Sequence, residues 1–112
     1  LTRYTTIELV KKELRIDASD LTADEEIDQD ISTASSMVDA MATAAGVTIA
    51  SPTPAIIEQI ARFFAAWLFR KREAGETNSQ HFYESGVALF TAMGTATSTG
   101  EAEFVQGEAD AD

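Results

Sequence analysis

The densest group of chemistry-bearing side chains in this 112-residue sequence is acidic: Asp24, Glu25, Glu26, Asp28 and Asp30. On a helix, Asp24 falls beside Asp28 and Glu26 beside Asp30, one turn apart. Paired carboxylates are the ligands a hard cation such as Ca²⁺ or Mg²⁺ needs. The segment has neither the ligand spacing nor the turn glycine of an EF-hand, and acids in a helix's first turn are favoured by its dipole alone. Helix-start electrostatics is therefore the expected role, with no metal. The only histidine, His81, opens another predicted helix in a chain without cysteine and without a G-x-S-x-G elbow to hold a nucleophile. Walker loops, dinucleotide-binding glycine patterns and zinc spacings do not occur in the sequence either. No catalytic, cofactor-binding or metal-binding residue is expected, and the chain reads as a non-enzyme.

Phe63, Phe64, Trp67 and Phe69 form an aromatic run followed by Arg70, Lys71 and Arg72. At helical spacing such a run belongs to a core before it belongs to a ligand pocket. It lies in residues 54–72, with Pro54 suited to a first helical position and Thr53 to the N-cap. Ile56, Ile57, Ile60, Ala61, Phe63, Phe64, Trp67 and Leu68 make an apolar stripe roughly 160° wide. The opposite side mixes Glu58, Gln59 and Arg62 with Ala65, Ala66 and Phe69. A helix of this kind needs neighbours on more than one side. Arg62, Ala66, Phe69, Arg70, Lys71 and Arg72 are therefore candidates for a subunit interface, the basic end facing acidic residues 17–30 of an adjacent subunit.

Three further helices are predicted around this one. The first spans residues 6–16, opened by a capping box of Thr5 and Glu8 and buried through Ile7, Val10 and Leu14. Its Lys11, Lys12 and Arg15 are expected on the surface, where the dipole favours cations. Leu21 is expected to fold back as a staple. Thr22 and Glu25 form a second capping box before Ile27, Ile31, Ala34, Val38, Met41 and Ala45, an a/d seam that Gly46 ends. After Gly75, Asn78 is expected to cap a last helix that ends at Met93 and contains Gly86, a residue unfavourable in mid-helix by about 1 kcal/mol. The fold class is all-α: a small four-helix bundle in residues 1–93 with a flexible acidic tail, rich in glycine and threonine, in residues 94–112. Phe104 and Val105 are the apolar residues of that tail and suit a linear segment that orders on a partner.

The net charge of −11 is unevenly distributed, with −7 in residues 17–30 and −5 in residues 101–112. Such a field opposes direct affinity for nucleic acid or an anionic membrane. It suits either a surface that tolerates a polyanion without binding it or a protein kept soluble in high salt. Arg62 interrupts the longest apolar run, so no membrane span is expected. The start LTRYTTIEL lacks the layout of a signal peptide and an initiator methionine, so a few preceding residues are expected to be missing.

The order of features carries a resemblance. A helix ending in Leu14-Arg15-Ile16-Asp17 precedes TADEEID and the helix IDQDISTASSMVDAMA. A proline-bearing loop leads to PAIIEQIARFFAAWLFRKREAG, with Trp67-Leu68-Phe69-Arg70-Lys71-Arg72-Glu73 near its end, and a short helix follows. Over residues 5–93 this resembles the head–tail connector (adaptor, or head-completion) proteins of tailed bacteriophages and related tailed viruses. The resemblance implies a structural virion protein, assembled in the host cytoplasm and placed at the head–tail junction. It implies a homo-oligomeric ring, typically dodecameric, under the portal protein, extending the channel through which double-stranded DNA passes without specific binding. It further implies docking of a downstream neck or tail protein, and portal binding through a C-terminal extension that here contains Phe104 and Val105. The alternative of another class is a small acidic DNA mimic that inhibits a host DNA-binding protein. That role requires carboxylates spaced like phosphates along an exposed face.

Overall fold

The computed structural model describes residues 3–75 and 78–99, with side chains through residue 93, and the backbone of residues 103–104 and 106–107. The first helix, α1, spans Ile7–Leu14. Thr6, not Thr5, is its N-cap, accepting from the Leu9 N–H at 3.3 Å. Thr5 is drawn inward instead, its buried hydroxyl donating to Glu58 Oε2 at 2.6 Å. Arg15 ends the helix in the left-handed region (φ 62°), and the Ile16 N–H returns to the Lys11 carbonyl at 2.8 Å. That is the closing pattern usually given to glycine.

The connection to the second helix is built from two aspartate turns. Asp17 Oδ1 accepts from the Ser19 N–H and hydroxyl, and Asp20 Oδ1 from the Thr22 N–H and hydroxyl. The Thr22 hydroxyl is turned back to Asp20 and the expected capping box does not form; α2 spans Asp24–Ala45 with Ala23, which has no capping side chain, at its N-cap. Leu21 is 67% exposed, so it is no staple. Ile27, Ile31, Ala34 and Val38 are buried as the seam requires, but Ala42 takes the last buried place while Ala45 is exposed. A 3.6-residue helix drifts from a strict heptad by this distance. Gly46 closes α2 at φ 72°.

The third helix, α3, spans Ala55–Ala74, one position later than the proline suggested, with Pro54 as N-cap residue. Gly75 terminates it at φ 86°, its N–H donating to the Lys71 carbonyl at 3.1 Å. Asn78 does not cap the last helix: its amide donates back to the Ala74 carbonyl at 2.8 Å, and the fourth helix, α4, begins at Gln80. It runs to Thr99, six residues past Met93. Residues 94–99 are weak helix formers, but extending an existing helix avoids the cost of nucleation. Glu103–Phe104 (β1) and Gln106–Gly107 (β2) form a minimal antiparallel pair beyond it.

The architecture is the expected four-helix bundle, and α3 is its hub, packing on α1, α2 and α4. Ile57, Ile60, Ala61, Phe64, Ala65, Ala66 and Phe69 of α3 are all buried within the single chain. Helix α4 approaches closely because of Gly86, where a Cβ would stand 2.7 Å from Phe64 Cε1. The α3–α4 layer is completed by Tyr83, whose ring lies 5.8 Å from that of Phe64 and 4.8 Å from that of Trp67.

Candidate interaction surfaces

Half of the cationic side chains are paired with carboxylates of the same chain. Arg72 makes two 2.8 Å hydrogen bonds to Asp30, one to each carboxylate oxygen, and the bond to Asp30 raises its pKa. Asp30 is buried because it sits three residues from Ile27 on the core-facing stripe of α2. Lys11 occupies the corresponding place on α1, where Ile7, Val10, Lys11 and Leu14 share one face. Its ammonium is buried and donates to the Ala18 carbonyl at 3.2 Å, the Asp20 carbonyl at 2.6 Å and Asp24 Oδ1 at 2.9 Å. The surface role expected of Lys11 is corrected: it ties the α1–α2 connection to both helices. Arg3 pairs with Asp28 at 2.6 Å. Three of the five carboxylates in residues 24–30 are thus neutralised within the chain.

The six residues of the expected subunit interface do not form one open patch. Ala66 and Phe69 are 0% and 4% exposed, covered by the chain's own helices, so they offer no surface to another subunit. Arg62 bridges Glu58 at 3.0 Å and Glu13 at 3.4 Å. Arg70 donates to the Leu14 carbonyl at 3.0 Å, and Lys71 lies over the Trp67 ring at 4.7 Å. The basic end of α3 does meet residues 17–30, through Arg72 and Asp30, but in the same chain. Trp67, expected in the core, is half-buried with its Nε1 lacking a partner among the described residues. Of the tail pair, Phe104 lies in the backbone of β1 and Val105 is outside the described residues.

Two further contacts fix the N-terminal residues that precede α1. The Tyr4 N–H donates to Ser35 Oγ at 3.2 Å, and its phenol donates to Asp39, which together with burial pushes the Tyr4 pKa up to about 12. In the α1–α2 connection, the Ser19 and Thr22 hydroxyls hold Asp17 and Asp20 below the usual carboxylate range. The Tyr4 contacts join residues distant in sequence, and no local spacing announces them.

Two open surfaces stand out among the described residues. One is the outer row of α2, formed by Glu25, Glu26, Gln29, Thr33, Ser36, Ala40 and Thr43, all of them exposed. Helix α2 contains no Lys or Arg, and the adjoining Arg3 and Arg72 are paired with its own Asp28 and Asp30. The other is a cleft of about 510 Å³ where the end of α1, the end of α3 and the start of α4 meet. Leu14, Phe63 and Phe82 line it together with Arg15, Arg70 and His81, and the His81 ring packs against Phe82 at 4.0 Å. Among the described residues no group of three or more His, Cys, Asp or Glu is placed to hold a metal ion, and no helix is long and apolar enough to cross a membrane. Comparison with protein-family models, curated proteins and solved structures gave no match.

Proposed function

We propose that the protein is a structural virion component, a head–tail connector subunit that assembles under a portal, extends the DNA channel and docks the next neck component. The observation that supports this reading most directly is the outer row of α2. It presents carboxylates and small polar side chains over about 27 Å of helix with no cation. A surface of that kind passes DNA without holding it, because retention depends on Lys and Arg displacing counterions from phosphates. The order of helices and the motifs around Arg15 and Trp67 are those that resemble the connector proteins.

The DNA-mimic alternative is less well supported. A mimic needs a row of free carboxylates, whereas Asp24, Asp28 and Asp30 are paired with Lys11, Arg3 and Arg72. Only Glu25 and Glu26 remain unpaired in that stretch among the described residues, too few to imitate a duplex backbone. Negative-stain imaging of the purified protein, alone and with the portal of the same virus, tests the proposal. Rings coaxial with the portal are the expected result. Unassembled particles under both conditions reject it.

A further inference from the structure

Of the eight cationic side chains, Lys12, Arg15, Arg70 and Lys71 have no carboxylate partner among the described residues. Two of these four, Arg15 and Arg70, line the same cleft beside the apolar side chains of Leu14, Phe63 and Phe82. Arg15 is exposed there in a left-handed conformation (φ 62°) that non-glycine residues seldom adopt. On their other side the two arginines border a second cleft containing Glu25, Glu26 and Glu73 of the same chain. The first cleft has one carboxylate, Glu13, which is bridged to Arg62, so it is the side open to an incoming acid. In a chain of net charge −11 it joins unpaired cations to an apolar floor.

The complementary sequence is in the chain itself. Residues 101–112 contain five carboxylates and no cation, with Phe104 and Val105 between Glu103 and Glu108. We infer that the Phe104-Val105 segment of one copy docks into the Arg15–Arg70 cleft of a second copy. Reach favours a neighbour's cleft over a copy's own. From Phe82, at the cleft, α4 rises about 26 Å to Thr99. The five residues from 100 to 104 span at most about 18 Å, and the phenyl ring adds about 5 Å. Even fully extended, Phe104 covers about 23 Å of those 26 Å and reaches no further than the rim of its own cleft. In the single chain, β1 lies instead against α4, the helix it has just left.

Such a contact is head-to-tail, so repetition closes into a ring or continues as a filament. It assigns Phe104 and Val105 to a neighbouring subunit, where the family resemblance implied the portal. It does not require the connector reading.

The test uses the full chain and sedimentation equilibrium. Arg15→Gly removes the charge while suiting the left-handed backbone, and Phe104→Ser removes the ring. The wild type should exceed its 12.1 kDa monomer mass, with association weakening as salt is added. Each variant should associate at least about tenfold more weakly. An equimolar mixture of the two should recover dimers and nothing larger, since one intact cleft and one intact tail can meet only once. Circular dichroism checks that each variant is folded; if Arg15→Gly is not, Arg15→Asn, which also tolerates this backbone, replaces it. A monomeric wild type, a variant that associates like the wild type, or a mixture without recovery overturns the inference. Rings that persist in both variants would overturn this contact and leave the connector reading standing. Complementation to dimers with no wild-type ring would do the reverse.

Discussion

Gly86 shows how a single position can reverse a local preference. Helix propensity favours alanine there by about 1 kcal/mol. The added Cβ would, however, stand 2.7 Å from a ring that is itself fully buried. Overpacking of this kind costs about 1–3 kcal/mol, so Gly86→Ala is expected to lower the melting temperature. Phe64→Leu in the same background should return part of the loss, and a melting temperature that rises with Gly86→Ala would show that the α3–α4 crossing is loose. Tyr4 provides the corresponding case for titration. Its neutral phenol is the form held by Asp39, which is why its pKa rises to about 12 from an ordinary value near 10. The folded state therefore gains this contribution in full below about pH 10 and loses it as pH rises towards 12. Chemical denaturation across that range should show a decline in the wild type that Tyr4→Phe flattens.

At the scale of elements, the α1–α2 connection depends on Lys11. Replacing it with methionine keeps the apolar stem but leaves two carbonyls and the Asp24 carboxylate without their donor. A loss of about 1–3 kcal/mol is expected. Hydrogen exchange should accelerate across residues 17–23 while α3 and α4 stay protected; uniform acceleration would mean that Lys11 supports the whole core instead. Helix number, order and the central place of α3 were legible because apolar spacing reports directly which face must be buried. Capping was less legible. Thr5 and Thr22 both fit a capping box, yet Thr5 is claimed by Glu58 and Thr22 by Asp20, a competition between partners that local sequence does not rank. Lys11 and Asp30 were readable in principle, since each occupies a core-facing position where a charge must find a partner. The broad apolar surface of α3 misled for a physical reason. Alanines at 65 and 66 and the glycine at 86 let neighbouring helices approach closely enough for one chain to cover Phe69 and Ala66 itself.

For the whole molecule, charge placement matters more than the net value. Acid at the start of α2 is largely compensated internally, so the cation-free outer row of that helix owes its character to what it lacks. Adding cations there should create the affinity it is proposed to avoid. Gln29→Lys, Thr33→Lys and Ser36→Lys together should confer DNA binding whose logarithm falls with that of salt concentration with a slope of about −2 to −3. Filter binding or fluorescence anisotropy would read this, and no gain in affinity would remove the α2 row as the DNA-facing surface. The proposal as a whole stands or falls on assembly. Its most direct test is the mass of the purified protein in solution, measured with and without the portal. The connector account predicts a many-subunit species that joins the portal as a defined complex. A protein that stays at its 12.1 kDa monomer mass in both measurements would contradict it.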